Sequence, residues 1–292
     1  MIAYRALVAA ELNEQVDPQV SAMAQAIATQ HGDASRAVLF YGSCLREKQL
    51  DGLMLDFYLI VSDYAAAYPK RWLATANRLI PPNVFPFAHR SLAAKYAVLS
   101  EADFAALTTP EACTVSVWAR FAQPTRLVWV ANEAARTAAE DAVAASGPTL
   151  FALAMPLVGG ADPVDIWRAG FAQTYRAELR AERTDRSGSI VDADVARYAT
   201  FGAALIDAGA HAYADRPKTE ARWRQLQRSG KWMSVARLAK ASLTFAGGID
   251  YLAWKINRHA GTQIVIKPWQ RRWPLLGAIT LLPKLLQQGA VR

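Results

Sequence analysis

The sequence predicts an α+β protein in which a mixed N-terminal half precedes a largely helical C-terminal half. Three observations carry this. Two short runs rich in β-branched and aromatic residues, 37–41 (AVLFY) and 53–61 (LMLDFYLIV), read as buried strands in the first half. From Pro163 onward, apolar residues recur at helical spacing between short polar joints. Between these parts stands Gly147-Pro148, a pair that ends helices, and the expected domains are residues 1–147 and 148–292.

Taken in order, residues 17–31 place Val20, Met23 and Ile27 on one helical face and end near Gly32. The strand 37–41 runs into Gly42-Ser43, and the strand 53–61 follows. After Asp63 a helix is expected up to the turn Pro81-Pro82-Asn83, with Pro69 in its first turn or kinking it. Further strands are expected at 95–99 and 126–130, then an alanine-rich helix over 132–147 that Gly147-Pro148 stops. The second half predicts helices over 163–183, 192–208, 217–228, 231–246 and 249–258.

Composition narrows the functional classes. With 292 residues, 53% of them hydrophobic, and only 2 cysteines, the chain is neither disordered nor stapled by disulfides. Cys44 and Cys113 form no C-x-x-C pair, which excludes a zinc site or a redox dithiol of that pattern. The apolar stretch 273–283 is broken by prolines and falls well short of the roughly 20 residues that span a bilayer. The first residues mix Arg with Glu, so neither a secretory signal nor a transit peptide is expected. Charge is uneven: residues 216–292 hold 15 Lys and Arg against Glu220 and Asp250, a net of +13, while residues 1–215 carry 18 against 23, a net of −5. A basic quarter on an acidic body points to a polyanionic partner, either nucleic acid or anionic lipid.

The chemistry concentrates in residues 40–61 (FYGSCLREKQLDGLMLDFYLIV). Gly42 lets backbone N–H groups approach a triphosphate, Ser43 can donate to a phosphate oxygen, and Asp56 on the next strand can hold a Mg²⁺ that bridges phosphates. A strand ending in Gly-Ser, a loop and a strand-borne carboxylate resemble the polymerase-β-type nucleotidyltransferase fold. That fold usually offers two carboxylates two residues apart, and here the second position is Tyr58, so Asp51, Asp63 or a later residue must supply the other.

The resemblance extends further along the chain. LMLDFYLIVSDY is similar to a Leu-Asp-Phe strand running into a Val-Asp-Asp turn. KYAVLSEADFAALTTPEACTVSVWARFAQPTRLVW resembles a Lys-Tyr-Gly-Val-Ile-Ser segment followed by a Gly-Arg-x-x-Lys-Pro turn, and KASLTFAGGIDYLAWKI resembles a Lys-Gly-Ile-x-Thr-Ala element. These are features of the mitochondrial-type phosphatidate cytidylyltransferases, the peripheral CDP-diacylglycerol synthases also called translocator assembly and maintenance proteins. Cys44, Tyr68 and Gln123 depart from the family pattern, which has Gly, His and Lys there.

The resemblance implies CTP and phosphatidate as substrates and Mg²⁺ as cofactor. Gly42 and Ser43 are then expected to hold the CTP phosphates and Asp56 the metal, with Lys95, Arg120 and Lys240 bringing positive charge to the phosphates of CTP or of the lipid. The segment TYRAELRAE resembles a family helix with an acid-x-Arg pattern, making Glu178 and Arg180 candidates, Glu178 as second metal ligand or base. The bland alternatives are a solvated Lys95, an Arg120 paired with a surface carboxylate, and an exposed helix face for Glu178, Arg180 and Glu182. His31, His89, His211 and His259 show no ligand spacing.

From Trp232 to Leu252 the apolar residues form a helical stripe with Lys231, Arg237 and Lys240 off it. With tryptophans 223, 232, 254, 269 and 273 this suits an anionic membrane surface, at its cytoplasmic or matrix face; the alternative is that the stripe packs on the protein's own core. No nucleic-acid motif accompanies the charge, so no nucleic acid is expected. Three functions stay open: the cytidylyltransferase, a nucleotidyltransferase with another acceptor, and an inactive membrane-surface module.

Overall fold

In the computed structural model the chain is described at residues 1–45, 50, 53–160, 162–178, 190–244 and 266–269. Arg180, Glu182, Asp51, the helix expected over 249–258, and Trp254 and Trp273 lie outside the described residues. The protein is α+β, built on a mixed five-stranded sheet in the order β3-β4-β2-β1-β5. The strands are β1 (Ser35–Tyr41), β2 (Met54–Val61), β3 (Asn83–His89), β4 (Leu92–Ser100) and β5 (Thr125–Val130). Among the described strands only β2 and β4 pair in parallel; β1 is antiparallel to both β2 and β5, and β3 to β4.

β1 and β2 read as nearly unbroken apolar runs because helices cover both sheet faces. On one face Val38, Phe40, Phe57 and Leu59 pack under α2 (Pro18–Gln30), which buries Val20, Met23 and Ile27 as its periodicity predicts. Asp17 caps that helix, its Oδ1 accepting from the Gln19 N–H at 2.7 Å, and Pro18 supplies a first-turn residue without a wasted N–H. On the other face Leu39, Tyr41, Tyr58 and Ile60 meet the long helices.

Several elements differ from the sequence expectation. α1 (Ile2–Leu12) buries Tyr4, Val8 and Leu12, a face the alanines around it dilute. Pro69 separates α3 (Tyr64–Ala67) from α4 (Arg71–Leu79) instead of lying in the first turn of one helix. β3 contains Pro86 and was not foreseen; it is an edge strand, where a missing N–H costs no ladder bond. Short helices α5 (Glu101–Leu107) and α6 (Trp118–Phe121) precede β5.

The helix expected to stop at Gly147-Pro148 continues as α7 (Glu133–Ala154), and the boundary expected near residue 147 falls inside it. A proline costs an interior helix about 3 kcal/mol. Here the turns on either side bury Val143, Leu150, Phe151 and Leu153 in the core, which offsets that cost. α8 (Pro163–Ala177) packs on α7 and α9 (Val195–Asp207) packs on α8, with Trp167 between Phe151 and Tyr198 at ring centroid distances of 5.3 and 5.5 Å. The last described helix, α10 (Arg216–Thr244), merges the two expected over 217–228 and 231–246. Its Gly230 is there for closeness: a Cβ would stand 2.2 Å from the Ala177 carbonyl oxygen. That contact presses the middle of α10 onto the end of α8, which brings Arg237 and Lys240 toward Glu178.

Candidate active site

The strand side of the site follows from register. β1 ends at Tyr41, and Gly42 turns the chain with φ +99°, a conformation that favours glycine, into a short 3₁₀ turn, Ser43–Leu45, closed by the Leu45 N–H on the Gly42 carbonyl at 3.2 Å. Tyr41 pairs with Asp56 across the β1–β2 ladder, so the carboxylate stands beside this reversal. A Cβ on Gly42 would lie 3.1 Å from Asp56 Oδ2. The parallel β2–β4 ladder pairs Asp56 with Lys95, and Lys95 Nζ is 3.1 Å from Asp56 Oδ1. The ion pair does not have hydrogen-bond geometry, and Oδ1, itself buried, accepts no hydrogen bond among the described residues. Lys95 is thus paired with the predicted metal carboxylate.

The helical side closes over the same sheet face. A cavity of about 210 Å³ is lined by Tyr58, Ser116, Arg120, Glu178, Arg237 and Lys240, together with Pro82 and Val84. Arg120 comes from α6 and lays its guanidinium 5.1 Å from the centre of the Tyr41 ring, which already borders Asp56. Burial works against the Arg120 cation, yet its pKa is raised overall by the oxygens of Tyr41, Glu178, Tyr58 and Asp56. Arg120 therefore lies within the field of both candidate carboxylates.

Glu178 is not on a helix. It is the C-cap residue of α8, with extended backbone at φ −112° and ψ 146°, so the helix-face alternative gives way to a half-buried residue lining the cavity. Lys240 is buried and donates to the carbonyls of Ile80 and Pro82, the latter at 2.8 Å. Burial, and then the charge of Arg237, bring its pKa down to about 7. Arg237 donates from Nε to the Pro81 carbonyl at 2.7 Å and from Nη1 to Ser116 Oγ at 2.8 Å, and burial lowers its pKa too. Together these two side chains clamp the segment between α4 and β3 to α10. Burial first, and then Asp56, raise the Tyr41 hydroxyl well above its ordinary value; burial likewise raises Tyr58, so both stay neutral.

The structure thus forms two groups, Gly42, Asp56 and Lys95 where β1 ends and Arg120, Glu178 and Lys240 in the cavity, linked by Arg120 over Tyr41; Ser43 follows Gly42 in the turn, and Arg180 is outside the described residues. Arg237, Ser116 and the Tyr41–Tyr58 pair were missed as site residues. Only the spacing of Arg237 and Lys240, three residues apart on one helix, hinted that they share a face. In the described part of the expected stripe two positions are reversed: Lys240 points inward and Trp232 outward, 78% exposed. Trp223 is buried beside Trp118, its Nε1 donating to the Leu153 carbonyl at 2.8 Å, and does not sit at a headgroup boundary. No described helix is long and apolar enough to cross a membrane.

No three His, Cys, Asp or Glu side chains gather as a metal cage among the described residues. Mg²⁺, however, commonly uses one or two carboxylates and completes its shell with phosphate oxygens and water. Asp56 fits that smaller demand as a single carboxylate, with Oδ1 beside Lys95 Nζ and Oδ2 beside the Gly42 backbone. No family model matches the chain, and a search of curated proteins finds no match.

Proposed function

We propose that this chain is a Mg²⁺-dependent nucleotidyltransferase, and specifically that it makes CDP-diacylglycerol and pyrophosphate from CTP and phosphatidate at a membrane surface. One observation carries the reading: the positive-φ Gly42 turns the chain directly beside Asp56, a carboxylate paired with Lys95 Nζ at 3.1 Å and joined through Arg120 to a cavity lined by further cations. The finer assignment of CTP and phosphatidate rests on the family resemblance of the sequence.

Mg²⁺ held by Asp56, with Glu178 as the nearby second carboxylate, would neutralise the triphosphate and the departing pyrophosphate. The Gly42-Ser43 turn offers N–H donors to phosphate oxygens. Lys95 holds Asp56 in place and adds a cation beside it. Arg120, Arg237 and Lys240 supply positive charge for a second phosphate, that of the acceptor, in a partly enclosed cavity where such charges act strongly. An oxygen of the acceptor phosphomonoester attacks the α-phosphorus of CTP as the bond from that phosphorus to the bridging oxygen breaks. Pyrophosphate carries the electron pair away. The attacking dianion needs no base, so the chain's task is alignment and charge balance.

Incubation of the protein with CTP, phosphatidate and Mg²⁺ tests this. The expected products are pyrophosphate and a CDP-lipid in equal amounts. Mg²⁺-dependent CTP binding without turnover would redirect the search to another acceptor, and absence of CTP binding would leave the surface-module alternative.

A further inference from the structure

α4 is built inside out. Its inward face carries Ala74 and Asn77, the latter wholly buried, and polar bonds hold the helix down: Asn77 Nδ2 donates to the Val98 carbonyl at 2.9 Å, the Asn83 N–H donates to Asn77 Oδ1, and Asn83 Nδ2 donates to the Leu73 carbonyl at 3.0 Å. Leu73 packs partly buried against the core, whereas the outward face carries two large apolar residues. Trp72 is 46% and Leu79 70% exposed, seven positions apart and so on one side, flanked by exposed Arg71, Thr75 and Arg78. A buried asparagine opposite an exposed tryptophan and leucine reverses the usual arrangement and marks the outer face as one that meets something apolar.

Charge identifies what it meets. From residue 64 to residue 100 there is no Asp or Glu, while Lys70, Arg71, Arg78, Arg90 and Lys95 are all cationic. A helix face pairing Trp and Leu with arginines suits an anionic bilayer interface, where the rings and methyls enter the headgroup boundary and the guanidinium groups meet lipid phosphates. Two large side chains cover far less than the roughly 800 Å² per partner of a stable protein interface, which disfavours a second copy of the chain. We infer that the outer face of α4 docks this protein on anionic membrane. The inference rests on the lipid-acceptor reading and locates its surface: α4 leads directly into Ile80, Pro81 and Pro82, the last a wall of the cavity, and the clamp by Arg237 and Lys240 ties that segment to the site. A membrane at α4 thus lies beside the proposed acceptor subsite.

Co-sedimentation of the full chain with phosphatidylcholine vesicles, with and without phosphatidylglycerol, tests this. Trp72→Ser combined with Leu79→Ser is expected to lower partitioning onto the anionic vesicles by roughly tenfold or more, with an unchanged melting temperature, because both side chains are exposed. Arg71→Gln combined with Arg78→Gln is expected to weaken binding to anionic vesicles and leave binding to neutral ones unchanged. Wild-type partitioning in both double variants would overturn the inference, as would a change of oligomeric state in light scattering of the Trp72/Leu79 variant, which would make a second copy the occupant. CTP binding measured on the same samples separates the two claims: its absence in the wild type sinks the enzymatic reading, whereas its persistence beside unaltered vesicle binding sinks the α4 surface alone.

Discussion

On the strand side of the site, Gly42 and Asp56 meet because two adjacent strands pair Tyr41 with Asp56; on the helical side, Arg120, Glu178 and Lys240 arrive from three separate segments and meet only through tertiary packing. The first side is organised by local rules, a glycine-dependent turn and a β register. The second depends on the close approach of Gly230 to Ala177 and on two cations bound to the carbonyls between α4 and β3. The difference teaches where robustness lies: the proximity of Gly42 and Asp56 follows from strand register, while that of Arg120, Glu178 and Lys240 needs the helical half in place.

The sharpest way to break this division is Asp56→Asn. It removes the carboxylate proposed to hold the metal, and turnover should fall about a thousandfold or more, equivalent to about 4 kcal/mol of transition-state stabilisation. The variant should keep its circular dichroism and melting transition. Near wild-type turnover would refute the role of the hairpin.

Gly42→Ala tests the same side through the backbone. A side chain at φ +99° is strained, and its Cβ would crowd Asp56 Oδ2 at 3.1 Å. The expected cost is about 1–3 kcal/mol, read as a lower denaturation midpoint together with weaker CTP binding. A smaller effect is expected from Ser43→Ala, about 1–2 kcal/mol in CTP affinity for one hydrogen bond to a charged phosphate. Unchanged affinity there would leave the turn's N–H groups as the whole phosphate contact.

How much of this the sequence disclosed follows the same division. The strand carrying Asp56, the Gly-Ser reversal and the strand carrying Lys95 were legible because apolar runs and turn residues are local signals. The placement of Arg120 and Lys240 beside Glu178 came from resemblance, and no local pattern shows that Lys240 turns inward while Trp232 turns out. Gly147-Pro148 and Ser229-Gly230 read as breaks, yet both lie within helices, since burial around Leu150 and Phe151 and contact with Ala177 outweigh local propensity. The proline-bearing edge strand β3 was hidden for the converse reason: a residue poor in strand propensity is tolerated where no partner needs its N–H.

The helical side can be probed alone, with the smallest effect. Because the Lys240 pKa is brought down to about 7, its ammonium is charged below that pH and neutral above it. Sulfate, a dianion that does not titrate in this range, should bind the cavity more tightly below pH 7 than above it, by about a few-fold or more for one added charge. Lys240→Met should abolish that step. Persistence of the step in the variant would assign it to another group.

The central claim is that Asp56 carries the metal on which nucleotide binding depends. Titration calorimetry of CTP into the wild type and into Asp56→Asn, each with Mg²⁺ and with a chelator, tests it most directly. The account predicts Mg²⁺-dependent binding in the wild type and weak, Mg²⁺-independent binding in the variant. Equal CTP affinity in all four experiments would contradict it.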